Sequence, residues 1–331
     1  MIILLTTILI LSFFLFIFYI KISVKFKLID QPNHLNVHKN NIPTGAGIIF
    51  LIIFYFFLIV CKSFIQVDLF LLQKNLFILI VSLTFLTLIS FYDDVYNIHP
   101  IIRLFFQVTT IFFCTSLFNL ELESLPLKIS IFLIIYFWVY TMNIINFTDG
   151  VDGFLAINAL TFFSCIFLYF NFLNNVNFIY YTSLIMIPVL LSYLFFNKPN
   201  AKIFMGDAGS IFIGFLIGFI SIQTIILGRF DIVVSLLAYT YIDCSLTIVK
   251  KVLKKQYPWA RLFDYFFLIP IKNKFTHKKV FFANCIYNLC IFAVTLVQIF
   301  FNIKYLCLLS LLLAVLLLLY FNSFSKFQDR N

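Results

Sequence analysis

Eleven apolar runs of about 17–22 residues follow one another along this chain, near residues 2–20, 43–60, 76–92, 101–118, 129–146, 154–171, 178–196, 209–227, 232–249, 280–301 and 305–322. As an α-helix, each is long enough to cross a hydrocarbon core of about 30 Å. A backbone in lipid must satisfy its own hydrogen bonds, so a succession of such runs has one ready solution, a bundle of helices. Composition agrees: 63% of residues are hydrophobic and 11% charged, with a mean hydropathy of +1.08. A soluble domain of 331 residues has too little polar surface to cover that much apolar matter. The first run lacks a basic start and a small-residue cleavage site, so it reads as a helix and not as a signal peptide. The expectation is an all-α polytopic membrane protein with about eleven transmembrane helices, one domain over residues 1–331.

Lysine and arginine give the orientation. With the N-terminus outside, the inside segments (21–42, 93–103, 147–153, 197–208, 250–279 and 323–331) hold 18 of the 23 basic residues. The outer loops hold Lys62, Lys74, Lys128, Arg229 and Lys304. That asymmetry predicts N-out, C-in, in a plasma membrane with its working loops cytoplasmic. The formal charge of +10 then meets anionic headgroups and anionic substrates. Spread over loops between spans, it does not form a nucleic-acid surface. The seven cysteines (61, 114, 165, 244, 285, 290 and 307) lie in or beside apolar runs with no metal-ligand spacing, and read as small buried hydrophobes.

The chemistry-bearing residues gather on the inside face. His34, His38, His99 and His277 all fall in inside loops, as do Asp93, Asp94, Asp149, Asp152 and Asp207. A transporter is expected to place polar groups near mid-membrane on broken helices, so this distribution favours an enzyme at the surface. In the segment Asn146-Phe147-Thr148-Asp149-Gly150-Val151-Asp152-Gly153, the residues Asn143, Asn146, Asp149 and Asp152 recur at intervals of three. On a helix they form one polar stripe. Ionisable groups near membrane helices mark function by default.

Three further loops carry signals. Asp93-Asp94 closes the third run, where adjacent carboxylates persist if a cation or proton relieves them, and Mg²⁺ is a fitting cation. The simpler alternative, a helix terminator, is disfavoured because acids at a helix C-terminus oppose the dipole. Asp207, between Gly206 and Gly209, sits where the eighth span begins and suits both helix capping and metal ligation. The first inside loop, with Lys39, Thr44, Gly45 and Gly47, reads either as a Pro/Asn/Gly connector or as an anion-binding loop. In the 250–279 loop most lysines hold topology and meet lipid, and His277 is its one titratable switch near neutrality.

Taken in order, DQPN…H…PTGAG, YDD, NIINFTDGVDG and AKIFMGDAGS resemble the polyprenyl-phosphate N-acetylhexosamine-1-phosphate transferases from about residue 28 to 280. That membrane family includes phospho-MurNAc-pentapeptide transferase and the GlcNAc-1-phosphate transferases of teichoic acid and O-antigen synthesis. The resemblance implies transfer of a sugar 1-phosphate from a UDP-N-acetylhexosamine to undecaprenyl phosphate, the first membrane step of cell-envelope polysaccharide synthesis, with Mg²⁺ as cofactor and Mn²⁺ as the alternative ion. It implies Asp207 as metal ligand and Asp93 and Asp94 as reactive carboxylates, with His277 standing for the family's histidine cluster. Asn197 and Phe204 would hold the uridine, Asn146, Asp149 and Asp152 would line the cleft, and Lys39 and Thr44 would lie near the nucleotide. A homodimer is common among the MurNAc-pentapeptide members.

Two departures stand out. The HxHH or HHH cluster is reduced to Phe275-Thr276-His277-Lys278, and the PTPRGGG form of the first loop has become PTGAG. The first argues against a MurNAc-pentapeptide substrate, and eleven spans suit the teichoic and O-antigen branch. The rival readings are a catalytically reduced member, suggested by the thinned histidine loop, and a lipid-linked-sugar transporter, which would need polar groups through the bilayer and motifs on both faces that this sequence does not show.

Overall fold

The computed structural model describes residues 2–31, 41–60, 73–118, 126–257 and 264–325. The helices are α1 (Ile2–Lys25), α2 (Gly47–Val60), α3 (Gln73–Tyr96), α4 (Pro100–Cys114), α5 (Leu127–Phe147), α6 (Phe154–Phe172), α7 (Phe178–Asn197), α8 (Gly206–Ile226), α9 (Phe230–Leu253), α10 (Ile269–Lys272), α11 (His277–Phe301) and α12 (Cys307–Ser323). Every expected apolar run lies on a helix, and ten of the described helices are long and apolar enough to span a membrane. The protein is a polytopic all-α membrane protein. The remaining run differs: α2 has 14 residues, about 21 Å at 1.5 Å per residue, short of a full crossing. Residues 61–72, which follow it, lie outside those described. Among the described residues the only strands are Ile29–Asp30 and Ile42–Pro43, an antiparallel ribbon pairing Ile29 with Pro43 and Asp30 with Ile42.

Helix α8 is the hub. It is apolar all round, buried almost continuously from Ala208 to Ile222, and packs against α5, α3 and α2. A helix of that kind belongs inside a bundle, while those facing lipid bury one side only. The Trp138 indole of α5 donates to the Phe215 carbonyl of α8 at 2.9 Å, fixing their register. The α2–α8 crossing depends on glycine: a Cβ at Gly47 would run into the backbone N and Cα of Gly209. In lipid, close backbone approach replaces the hydrophobic effect as the force between helices. Gly47→Ala is therefore expected to destabilise the protein by about 3 kcal/mol, the upper range for overpacking. A fall in melting temperature in detergent would register it.

Polar side chains bind α11 to α6. Asn288 Nδ2 donates to Asn158 Oδ1 at 2.8 Å and to Asn284 Oδ1 at 3.0 Å, and Asn284 Nδ2 donates to the Phe154 carbonyl at 3.1 Å. These bonds set the height at which His277, opening α11, meets the start of α6. Nearby, Asp243 of α9 is wholly buried and accepts from Phe266 N (2.9 Å), Phe267 N (3.2 Å), Tyr239 Oη (2.7 Å) and Thr247 Oγ1 (3.3 Å). It ties the turn Phe266–Leu268 down onto the bundle.

Candidate active site

Helix α5 stops at Phe147 because Thr148 turns its hydroxyl back to the Ile145 carbonyl at 2.7 Å, and residues 148–153 form a turn into α6. The expected polar stripe is thereby broken. Asn143 and Asn146 lie on the helix, and Asp149 and Asp152 lie in the turn. Asn143 Nδ2 bonds Gln107 Oε1 at 2.6 Å, joining α5 to α4. Asn146 is half-buried, with no side-chain hydrogen bond among the described residues. The turn ends on Gly153, at φ +72°, whose N–H donates to Asn197 Oδ1 at 2.9 Å. Asn197 Nδ2 donates to the Ile203 carbonyl, also at 2.9 Å. Both ends of this buried amide are thus engaged, holding the 148–153 turn to the 198–205 segment.

The adjacent carboxylates of Asp93 and Asp94 do not end α3; the helix continues to Tyr96. They coexist by turning to different partners. Asp93 accepts from Ile98 N and from Arg103 Nη1, both at 2.5 Å. The same guanidinium nitrogen contacts Asp207 Oδ2, so Arg103, on the first turn of α4, bridges α3 and α8. Asp94 meets the positive end of α8, accepting from Asp207 N at 2.7 Å and Ala208 N at 3.1 Å. The N-cap residue of α8 is Met205, which has no oxygen to offer, and Asp94 supplies one across the bundle. Gly206, at φ +69°, lets that carboxylate press against the backbone where any Cβ would collide with it. Capping, one of the two compatible roles expected of Asp207, is therefore the work of Asp94. Asp207 points its carboxylate at Arg103.

Asp152 faces the opposite wall. Its Oδ2 accepts from Asn200 N at 3.1 Å and Ala201 N at 3.3 Å, and its Oδ1 lies 3.2 Å from His277 Nδ1. The Asp152 N–H points at the same Nδ1 from 3.4 Å. One proton decides between the two contacts, and either orients the ring, leaving Nε2 without a hydrogen bond among the described residues.

Between these walls lies Asp149, partly open, its carboxylate without a hydrogen bond among the described residues. Burial, with the facing carboxylates of Asp207, Asp94 and Asp152, raises Asp149 well above the usual carboxylate range. The predicted aspartates thus converge on one cleft with His277 at its rim. Phe204 stands beside it, half-buried, its backbone held by Pro43 O (2.7 Å) and Ala46 N (3.2 Å). Thr44 adjoins that strand-like contact, its carbonyl accepting from Tyr19 Oη at 2.7 Å. Lys39 lies outside the described residues.

Sequence reasoning missed Arg103 and Asp243. Each left a signal. The chain uses arginine 4 times against 19 lysines, which suggests bidentate or bridging duty wherever it appears. Asp243 is an acid well inside an apolar run. Arg103 is the cation nearest the cluster, so Arg103→Ala should lower the melting temperature in a chelating buffer by several degrees. Millimolar Mg²⁺ should recover most of the loss, because a divalent ion can replace the missing charge. A thermal-shift titration checks both halves.

No three carboxylate, thiolate or imidazole groups among the described residues converge closely enough to enclose a metal ion by themselves. Five carboxylates (Asp93, Asp94, Asp149, Asp152 and Asp207) nevertheless stand against one arginine and one histidine.

The profile of glycosyl transferase family 4 matches residues 76–225, which include Asp93, Arg103, Asp149, Asn197 and Asp207. A phospho-N-acetylmuramoyl-pentapeptide-transferase of Dictyoglomus turgidum is 30% identical over 269 residues, covering 76% of this chain and 83% of its own. A probable undecaprenyl-phosphate N-acetylglucosaminyl 1-phosphate transferase of Bacillus subtilis is 26% identical over 249 residues, covering 71% of this chain and 67% of its own. A phospho-N-acetylmuramoyl-pentapeptide-transferase of Wolbachia pipientis is 25% identical over 304 residues, with 81% and 88% covered.

Proposed function

The chain belongs to glycosyl transferase family 4, and from that premise we propose that it transfers an N-acetylhexosamine 1-phosphate from a UDP-sugar to a polyprenyl phosphate, releasing UMP. The observation that carries this reading is the joining of the YDD and FMGD motifs, with Asp94 on the first turn of α8 and Arg103 between Asp93 and Asp207. That cluster lies where α3, α5 and α7 end and α4, α6, α8 and α11 begin. A site at one end of a membrane bundle can take a water-borne sugar nucleotide and a lipid-borne phosphate together. The lysine and arginine asymmetry supports a cytoplasmic position for that end.

The donor set fits a divalent cation. Asp207 and Asp149 would hold Mg²⁺, Asp149 because its carboxylate has no other partner among the described residues, and water and diphosphate oxygens would complete the shell. When bound, the ion neutralises the diphosphate and stabilises the departing UMP. The lipid phosphate oxygen forms a bond to the β-phosphorus of the UDP-sugar as the bond from that phosphorus to the bridging oxygen breaks, and UMP carries away the electron pair. Arg103 is placed to receive negative charge shifting between the two phosphates. Asp93 and Asp94 are each held by two donors, an arrangement suited to accepting or placing a proton more than to nucleophilic attack. This supports direct attack by the lipid over an aspartyl-phosphate intermediate, and exchange of labelled UMP into UDP-sugar without lipid would overturn it. Phe204 offers a half-exposed ring for the uracil, and Asn197 shapes the pocket from behind.

His277→Ala should slow turnover about tenfold, about 1.4 kcal/mol. A smaller loss would limit the His277–Asp152 contact to holding α11 in place. The decisive assay incubates the protein in membranes with undecaprenyl phosphate, Mg²⁺ and a panel of UDP-N-acetylhexosamines, including UDP-GlcNAc and its deoxy derivatives. UMP release together with label entering the lipid phase would establish the reaction and its sugar. Silence across the panel, with folded protein, would favour a catalytically reduced member.

A further inference from the structure

The turn that carries Asp149 and Asp152 rests on a floor of aromatic side chains. Tyr265 lies over Phe147, the last residue of α5, with ring centroids 5.8 Å apart. Phe267 stacks on Phe154, the first residue of α6, at 4.9 Å and 25°. Between them, a Cβ at Gly150 would meet the Phe267 ring at 3.4 Å and Leu268 at 3.5 Å, an ordinary packing contact. Residues 265–268 thus grip both ends of the turn and its middle, and Asp243 of α9 pins them in place. Building on the proposed transfer reaction, we propose that Asp243 is a positioning residue for it: by fixing this floor, Asp243 sets where the Asp149 carboxylate stands in the cleft.

Two features of the cleft and its support carry the assignment. The first is that Asp149 has no side-chain hydrogen bond among the described residues, so its backbone alone aims it. Asp152, by contrast, is tied at both oxygens, by Asn200 N, Ala201 N and His277. The placement of the turn therefore decides where Asp149 sits, and an error of about 1 Å in such a group can cost about a hundredfold in rate. The second is the use to which Asp243 is put. It is wholly buried in a membrane helix, where a carboxylate is retained only for a purpose. Its oxygens take the N–H groups of Phe266 and Phe267, at 2.9 and 3.2 Å, at the head of a turn whose N-cap residue, Tyr265, makes no side-chain cap bond. Lys250 Nζ stands over the Phe266 ring, 4.1 Å from its centroid, a further hold between α9 and the same segment. Phe267 is itself fully buried, so the floor cannot shift without opening the core around it.

The test uses the full chain in nanodiscs with Asp243→Asn, which keeps the side-chain volume but offers one acceptor oxygen in place of two. Hydrogen–deuterium exchange should quicken about fivefold or more in residues 265–268. The amides of Thr148, Asp149 and Gly153, bonded in the unaltered protein, should quicken with them, and those of α8 should not change. In the transferase assay, kcat should fall about tenfold or more and the Mg²⁺ concentration for half-maximal rate should rise about fivefold. Loss of folded protein alone does not move the Mg²⁺ requirement. Phe267→Leu leaves every Asp243 bond in place but shortens the ring that faces Phe154 and Gly150, and should move the same readouts in the same direction. Combined with Asp243→Asn it should cost less than the product of the two effects, because both act through one floor. It also carries the test if Asp243→Asn fails to fold. Faster exchange confined to 265–268, or a normal kcat and Mg²⁺ requirement per folded molecule, would overturn the assignment. Coupled exchange in a protein inactive toward every UDP-sugar would uphold the positioning and fail the transfer reaction. An active variant with an undisturbed turn would do the reverse.

Discussion

Asp207→Ala is expected to reduce UMP release by about a thousandfold, about 4 kcal/mol of transition-state stabilisation. The carboxylate it removes faces both Arg103 and the cleft containing Asp149. Without it the proposed divalent cation would lose one of its two proposed protein ligands, and the diphosphate of the proposed donor would lose the charge that makes UMP a good leaving group. The fold should survive, since Arg103 keeps Asp93 as partner and the α8 cap is supplied by Asp94. Removing one of several mutually repelling carboxylates should leave the melting temperature in chelating buffer unchanged or higher. Mg²⁺ should stabilise the unaltered protein, because a ligand that binds only the folded state raises its stability, and should have little effect on the variant. Full activity in Asp207→Ala would take Asp207 out of the metal site. A large loss of stability in chelator would recast it as structural.

Asp94 should behave in the opposite way. Its two oxygens accept the N–H groups of Asp207 and Ala208, which have no other acceptor among the described residues. Asp94→Ala leaves both donors unpaired beside the hub helix, at about 1–3 kcal/mol each. A destabilisation of about 2–6 kcal/mol is expected, visible as a large fall in melting temperature and reduced yield from membranes. Asp94→Asn keeps one acceptor oxygen and should lose roughly half as much stability, while its activity falls as far as that of the alanine variant because the charge is gone. Equal melting temperatures for the three proteins would refute the capping role. Retained activity in a stable Asp94→Asn would refute the chemical one.

The two aspartates could not be told apart from the sequence. Asp93 and Asp94 are neighbours of identical type, and their different fates arise from partners far along the chain. Asp94 meets residues 113 and 114 positions away, and Arg103 meets Asp207 across 104. Local patterning carries no trace of such pairings. The same holds for Asn197, whose motif position suggests a ligand contact but whose amide is occupied by Gly153 and Ile203. The polar stripe failed for a nearer reason: spacing of three implies one face only while the helix lasts, and Thr148 ends it.

What the sequence determined by itself is the helical membrane bundle and the set of residues available for chemistry. Both follow from rules that act locally: a run of about 20 apolar residues has to close its own hydrogen bonds in lipid, and carboxylates are kept out of that run unless they serve a purpose. The tertiary structure alone decided the division of labour: Asp94 as the cap of α8, Arg103 as the bridge from Asp93 to Asp207, Asp149 as the carboxylate without a hydrogen bond among the described residues, and Asp243 as the anchor of a distant turn. Each assignment depends on which charge or N–H group lies within about 3 Å, the reach of a hydrogen bond, and only helix packing sets that distance.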